Sequence, residues 1–143
     1  MNNSSRPGWP NQNDRPASRT QSQLIERAGP QFWNDLQNQL AAAVDALYLQ
    51  DLSGMITGFG GGVRVTLNRP GKAFDQDYTD ITFKRSPMEI RCTTLNDGSY
   101  TLQFCVTANN QLAVTSTRGH EAMNAQQASE HIMKLLLKAS ERR

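Results

Sequence analysis

The stretch Gly54-Met55-Ile56-Thr57-Gly58-Phe59-Gly60-Gly61-Gly62 divides this chain of 143 residues into a helical part and a strand-like part. Glycine reaches backbone conformations that other residues avoid, so such a run indicates unusual backbone geometry. Before it, apolar residues recur at steps of three and four, which is typical of a helix, and after it they recur at steps of two. The run therefore marks the change from helix to sheet.

The part before the run predicts one main helix, from Pro30 to about Leu52. Pro30 suits the first helical turn, where its missing N–H costs nothing. Gly54 suits the C-terminal stop, because glycine accepts the left-handed cap conformation. A short helix over 21–28, broken at Gly29-Pro30, is expected to precede it. The predicted buried face of the main helix consists of Trp33, Leu36, Leu40, Val44 and Leu47.

The part after the run predicts five strands, because apolar and polar residues alternate there. The alternating segments are 63–68, 81–84, 89–93, 100–107 and 112–115. A tight turn is expected at Asn109-Asn110, a bend at Ser86-Pro87 and a longer loop at Pro70-Gly71. The segment Asn96-Asp97-Gly98 predicts a three-residue hairpin loop. That loop pairs Ile90 with Phe104, Cys92 with Leu102 and Thr94 with Tyr100.

A second amphipathic helix is predicted over 121–140. Its buried stripe consists of Ala125, Ala128, Ile132, Leu135, Leu136 and Ala139. Two such helices can cover one face of an antiparallel sheet and leave the other face to solvent. The predicted fold class is thus α+β: a two-layer sandwich with an N-terminal helix, a five-stranded antiparallel meander and a C-terminal helix.

Residues 1–22 differ in composition from the rest and are predicted to be a disordered tail, with 23–143 forming a single α+β domain. The tail is rich in Asn, Gln, Ser, Pro and Arg, and it cannot bury enough apolar surface to offset its ordering entropy. Its three arginines and one aspartate account for the net charge of +2, so the remaining chain is neutral. We expect a cytoplasmic protein with no membrane contact, because no apolar run approaches ~20 residues.

Known chemical motifs find little support in the sequence. The glycine run follows a helix and precedes a strand, the reverse of a phosphate-binding loop, so a connector between the two parts explains it better. Asp75, Asp77 and Asp80 lack the glycine and late glutamate of a calcium loop. His120 and His131 are predicted to lie about 16 Å apart on one helix, too far to share a metal ion. We expect neither a metal nor a cofactor.

The two cysteines are predicted to lie on opposite faces of the sheet, which excludes a disulfide without a change of register. We interpret Cys92 as a small core residue. Cys105, on the polar face, has no histidine neighbour in the sequence pattern that would activate it as a nucleophile. The sequence therefore predicts a protein that is not an enzyme.

The open face of the sheet is the better candidate for function. Its predicted outward residues contain no aromatic side chain, and they are Arg64, Thr66, Thr82, Lys84, Glu89, Arg91, Thr93, Thr101, Gln103, Thr107 and Thr115. A non-enzymatic interaction or adaptor module is predicted, self-associating as a homodimer or binding a protein partner through this face or an edge strand. The candidate binding residues are Arg64, Lys84, Arg91, Gln103, Met55, Ile56 and Phe59.

Two alternatives stay open. The chain could bind nucleic acid through the arginines of its tail and through Arg64, Lys84 and Arg91, although stacking on bases needs outward aromatic residues. It could instead bind a small ligand in a pocket between the first helix and the sheet, near Trp33, Tyr48 and Phe59. The glycine run serves as a joint if Met55, Ile56 and Phe59 are packed, and as a binding loop if they are exposed.

Overall fold

The computed structural model describes residues 19–68, 76–119 and 121–141. The elements occur in the order helix α1 (Arg19–Asp45), a 3₁₀ helix (Ala46–Gln50), six strands and helix α2 (Ala125–Glu141). The strands are β1 (Ser53–Phe59), β2 (Gly62–Asn68), β3 (Gln76–Arg85), β4 (Met88–Thr94), β5 (Gly98–Val106) and β6 (Leu112–Ser116). They form one antiparallel sheet in chain order, as expected of a meander.

Helix α1 is longer than predicted and is not broken at Gly29-Pro30. It begins at Arg19, so it includes the last four residues of the predicted tail, while residues 1–18 lie outside the described residues. Pro30 lies inside the helix and not at its start. Gly29 is buried, and a β-carbon there would collide with the Met88 side chain. The helix therefore continues through Pro30 with Gly29 in contact with Met88 on β4, although proline in a helix interior costs about 3 kcal/mol.

The end of the helical part also differs from the prediction. Asp51 adopts the left-handed conformation, with φ 57° and ψ 34°, and its N–H donates to the carbonyl of Tyr48. Aspartate tolerates this conformation because its short polar side chain can bond locally. The stop is therefore Asp51, and Gly54 already belongs to β1.

Strand β1 is the element that the sequence analysis missed, because the glycine run was interpreted as a connector. Gly60 and Gly61 form a two-residue turn between Phe59 and Gly62, and Gly61 has a φ of 83°. Tight hairpins require positive φ, which glycine supplies without steric cost. The glycine run is thus both an edge strand and the turn that pairs it with β2.

The β4–β5 hairpin has the predicted faces but a different register. Ile90 pairs with Leu102, Cys92 with Tyr100 and Thr94 with Gly98, so the predicted register was wrong by two residues. The loop comprises residues 95–97, because Asn96 also adopts a positive φ of 63°. A shift of two residues keeps every side chain on its face, which is why the predicted core face survived the error.

The hydrophobic core lies between the two helices and one face of the sheet. Helix α1 contributes Phe32, Leu36, Leu40 and Val44, with Phe32 buried where Trp33 was predicted. Helix α2, which begins at Ala125 and not at 121, buries Ile132 and Leu136. The strands contribute Val63, Val65, Leu67, Ile81, Ile90, Cys92, Tyr100, Leu102 and Val114. The two-layer arrangement is therefore confirmed, with six strands in place of five.

Candidate functional site at the edge of the sheet

Strand β1 lies at one edge of the sheet and pairs only with β2 among the described strands. In an antiparallel ladder, successive residues direct their N–H and C=O groups alternately toward one neighbour and away from it. The Phe83 N–H donates to the carbonyl of Gly61, the residue just before β2. The odd-numbered residues of β2 therefore direct their backbone N–H and C=O groups toward β3, and the even-numbered residues direct theirs toward β1. By this alternation, Gly54, Ile56 and Gly58 direct their backbone groups away from the sheet.

The sequence around β1 lacks the usual protection of a free edge. Residues 52–63 contain neither a charged side chain nor a proline. Natural edge strands are commonly protected by lysine, proline or a covering segment, because their unpaired backbone groups can accept another strand. The composition of β1 thus permits strand addition.

Large apolar side chains are exposed on β1 and just before it. Met55 and Phe59 on β1 are 53% and 45% exposed, and Tyr48 and Leu49 in the 3₁₀ helix are 70% and 72% exposed. These four side chains are the exposed large apolar residues of the described chain. The four residues occur within twelve positions of the chain. Single exposed apolar residues scattered over a protein surface need no explanation, but such a group does.

The glycines of this hairpin have different structural reasons. A β-carbon on Gly54 would lie 2.6 Å from the Thr66 carbonyl oxygen and 2.8 Å from the Leu47 side chain, so packing inside the chain requires glycine there. A β-carbon on Gly62 would likewise collide with the Ile81 backbone. A β-carbon on Gly58 would meet nothing within 4 Å. Contacts within the described chain therefore do not explain Gly58.

The open face of the sheet continues from β1 and carries aromatic residues that the sequence analysis did not place there. The Phe59 ring lies above Gly62, and Tyr78 on β3 lies opposite Thr66 on β2. Thr66 is buried between Met55 and Tyr78, its partners on the two neighbouring strands. The prediction of an open face without aromatic side chains was wrong, because the alternation of β3 was traced only from Ile81 and β1 was not recognised.

Arg64 contacts both an aromatic and an acidic side chain of the open face. Its Nε and Nη2 atoms donate to the Asp80 carboxylate at 2.6 and 2.9 Å, and its guanidinium lies 3.9 Å from the centre of the Tyr78 ring. The hydrogen bond to Asp80 raises the pKa of Arg64. A depression of about 220 Å³ lies beside this pair, lined by Thr57, Gly58, Phe59, Arg64 and Asp80.

The other predicted polar site residues lie on the same face but farther from β1. Arg91 donates to Glu89 at 3.1 Å. Glu89 lies opposite both Lys84 on β3 and Gln103 on β5. The structure thus brings Lys84, Gln103 and the Arg91–Glu89 pair together, while Arg64 belongs to the β1 end of the face. Two of the three predicted cations are paired with carboxylates.

Ile56 is the one predicted β1 residue that points to the helix side. It is half-buried and packs against the core, whereas Met55 and Phe59 stand on the open face. Of the three large apolar residues of the glycine run, one is therefore packed and two are exposed.

The opposite edge of the sheet, at β6, is partly covered. Val114 on β6 and Met123 exchange two backbone hydrogen bonds of 3.0 and 2.8 Å. Met123 lies in the segment that leads into α2, so the chain itself fills part of the β6 edge. A comparable covering segment is not seen at β1 among residues 19–68, 76–119 and 121–141.

The structure does not assemble the other candidate groups into a site. Asp77 is buried, Asp80 is held by Arg64, and Asp75 lies outside the described residues. The described parts of the chain contain no group of three or more potential metal ligands. His120 lies outside the described residues. His131 packs edge-on against the Tyr100 ring at 5.7 Å, and desolvation, with the nearby charges of Lys134 and Arg118, lowers its pKa.

The cysteines are both free, as predicted. Burial raises the pKa of Cys92 to about 12, and it also raises the pKa of Cys105 on the open face. A thiol with a raised pKa provides less thiolate at neutral pH and is a weaker nucleophile.

The three aromatic residues of the predicted ligand pocket lie on different surfaces. Trp33 stacks on Phe83 at 5.6 Å on the helix side of the sheet. Phe59 lies on the open face, and Tyr48 is exposed in the 3₁₀ helix.

Comparison of the chain with family models, with curated proteins and with solved structures gave no match in any of the three. The helices of the described residues include none that is long and apolar enough to cross a membrane.

Proposed function

We propose that this chain is a non-enzymatic protein-interaction module that binds its partner by strand addition at the outer edge of β1. The observation that supports the proposal is an uncharged edge strand whose outer side has no partner among the described residues and which exposes two apolar side chains, Met55 and Phe59. Strand addition uses backbone hydrogen bonds for affinity and alternate side chains for specificity.

The side chains of β1 are suited to give strand addition its specificity. Met55, Thr57 and Phe59 stand on the open face beside Arg64, Asp80 and Tyr78, so an added strand would meet both an apolar and a charged group there. Complete burial of an apolar side chain of this size contributes about 1.5–3 kcal/mol, and these two are already half-buried, so their share is about half of that. Affinity would then depend on both backbone pairing and these two contacts.

The chemistry of the remaining face supports binding more than catalysis. Arg64 and Arg91 are engaged by carboxylates, and the pKa of Cys105 on this face is raised. A cytoplasmic location remains a prediction from the sequence.

A photo-crosslinking residue at three positions tests the proposal in cells that produce the protein. Benzophenone-alanine in place of Met55 reports on the β1 end of the open face, and the same residue in place of Thr115 on β6 or Lys134 on α2 serves as a matched control. We expect adducts at position 55 that are several-fold more abundant than at the controls, and their loss in the Gly58→Lys variant. Equal labelling at all three positions, or adducts only at the controls, would contradict the proposal.

Nucleic-acid binding is the second candidate, because Phe59 and Tyr78 supply aromatic faces close to Arg64. Stacking of a base on an aromatic side chain contributes ~1–3 kcal/mol. It ranks lower because Arg64 and Arg91 are paired, which reduces the positive charge available to phosphates. Salt-titrated binding of a labelled single-stranded oligonucleotide tests it: weakening by both Phe59→Ala and Tyr78→Ala would support this candidate, and no binding at low salt would exclude it.

A further inference from the structure

The outward backbone groups of β1 restrict the ways in which an identical strand can pair with it. They belong to Gly54, Ile56 and Gly58, which are spaced evenly about Ile56. In an antiparallel pair formed by two copies, each outward residue must lie opposite another outward residue. All three find partners only when the two-fold axis passes through Ile56, because Gly54 then lies opposite Gly58 of the second copy.

We infer that the partner of β1 is a second copy of this chain, and that the two β1 strands pair antiparallel about Ile56 to form one continuous sheet. This inference rests on the proposed function and names its partner. A two-fold interface uses the same patch on both copies, so each feature of β1 must be complementary to β1 itself.

The exposed side chains meet that condition. In this register Ser53 lies opposite Phe59 of the second copy, which makes Met55 of that second copy a diagonal neighbour of the first copy's Phe59. Diagonal neighbours on one face are about 7–8 Å apart, within reach of an aromatic ring. Methionine sulfur also packs favourably at the edge of such a ring. Each half-exposed Phe59 is thereby covered by a half-exposed Met55.

The glycine that the chain itself does not explain acquires a reason in the same register. Gly54 needs its lack of a side chain for contacts with Thr66 and Leu47, whereas Gly58 has open space around it. When the strands pair about Ile56, Gly58 lies against Gly54 of the second copy, at the place where that copy's Leu47 fills the helix side. A side chain at position 58 would then occupy space needed by the junction.

The apolar area and the charge are also suitable for two copies. At 45–72% exposure, the side chains of Tyr48, Leu49, Met55 and Phe59 present on the order of 500 Å² per copy, if each exposes ~200 Å² when free. Complete covering of all four side chains in both copies would bury about 1,000 Å² together, which is the lower bound for a specific interface. Residues 52–63 bear no charge, so like charges do not oppose each other across the axis.

Disulfide trapping in purified protein, in a Cys105→Ser background, tests the inference. Ile56→Cys places two thiols on the axis, where α-carbons of a hydrogen-bonded antiparallel pair lie ~5.5 Å apart, within disulfide range. Ser53→Cys is the matched control, because the two Ser53 residues would lie about 20 Å apart at ~3.4 Å per residue. Mixed Met55→Cys and Thr57→Cys samples provide a second pair that lies directly opposite, should Ile56→Cys fail to fold.

We expect light scattering of the unmodified chain to give twice the monomer mass. We also expect Ile56→Cys, or the mixed 55/57 pair, to form at least about tenfold more covalent dimer on oxidation than Ser53→Cys, given the ~3.4 Å rise per residue. A monomer at every concentration would overturn the inference, yet adducts of another mass at position 55 would leave the proposed function standing. A dimer that links through Ser53→Cys and not through Ile56→Cys or the 55/57 pair would overturn the register.

Discussion

The two edge strands of the sheet, β1 and β6, differ in whether another described segment of the chain pairs with their outer side. At β6, Met123 returns to form two backbone hydrogen bonds with Val114, so the edge is partly covered before α2 begins. At β1, the backbone groups of Gly54, Ile56 and Gly58 face outward, and Met55 and Phe59 are exposed beside them. A free edge is a liability for aggregation unless it is protected or used. This difference between the two edges is the basis of the proposed strand addition at β1.

The largest effect on stability is expected from alanine at Gly54, and alanine at Gly58 on the same strand is its control. Gly54→Ala would place a methyl group 2.6 Å from the Thr66 carbonyl oxygen, and we expect a loss of about 1–3 kcal/mol in the free energy of unfolding. Gly58→Ala meets open space within one copy and should change the stability of the monomer by less than about 1 kcal/mol, in the stabilising direction. Urea denaturation of both variants measures the difference. Equal destabilisation would mean that β1 packs differently from the structure.

Uncovering the β6 edge is expected to have the next largest effect. Met123→Pro removes the N–H that donates to Val114 and leaves the Val114 carbonyl without that partner, at a cost of about 1–3 kcal/mol. Met123→Leu keeps the backbone bonds and serves as the control. Chemical denaturation measures stability, and light scattering should show new association that the Gly58→Lys substitution does not suppress. Unchanged stability of Met123→Pro would show that the bridge does not protect this edge.

Protecting the β1 edge should affect association and hardly affect folding. Gly58→Lys introduces the side chain that natural edges use against pairing, and nothing in the described chain obstructs it. We expect partner or self-association to weaken at least about tenfold, which is ~1.4 kcal/mol, while the free energy of unfolding of the monomer changes by less than about 0.5 kcal/mol.

Gly60→Lys is the matched control for this variant. It adds the same charge in the hairpin turn, where a side chain also meets nothing within 4 Å, but it lies outside β1. Sedimentation across a concentration series compares the two variants. If both weakened association equally, the effect would be one of net charge and not of the β1 edge.

The smallest expected effect concerns pH and is confined to the side of α2. Desolvation and the charges of Lys134 and Arg118 lower the pKa of His131, so the folded state binds its proton less readily than the unfolded state, whose pKa is near 6.5. Stability should therefore decrease as the pH falls below about 6.5. Residues 52–63 contain no titratable group, so association through β1 should not follow the same pH dependence.

His131→Gln should flatten the change in urea midpoint between pH 7.5 and 5.5. The same substitution at His120 controls for the other histidine of the chain. An unchanged slope in His131→Gln would assign the pH dependence to other groups.

The sequence carried most of the fold because periodicity reports burial directly. The three- and four-residue steps of Leu36, Leu40 and Val44 predicted one helix face, and the two-residue alternation of β2, β4 and β5 predicted the core face of the sheet. Two turn positions, Ser86-Pro87 and Asn109-Asn110, also agree with the structure. Local chemistry and tertiary packing point the same way at these positions.

Three features were not predicted from the sequence, each for a different reason. Gly29 and Pro30 lie inside α1, where Gly29 contacts Met88, a residue 59 positions away in sequence. The β4–β5 register depended on a positive φ at Asn96, which several loop conformations could have avoided. Tyr78 was missed because the polar residues Asp77 and Thr79 lie on the core face at the start of β3, which obscured the alternation.

The stretch from Gly54 to Gly62 separates the two kinds of information most clearly. By itself, the sequence determined that helix and sheet meet there, because the period of apolar residues changes and glycine permits the turn. Only the tertiary structure decided that the stretch is a strand at the edge of the sheet. A glycine-rich segment has a low intrinsic preference for a strand, and the hydrogen bonds that hold it in one come from pairing with β2. The same pairing directs Ile56 inward and leaves Met55 and Phe59 exposed, because side chains alternate along a strand.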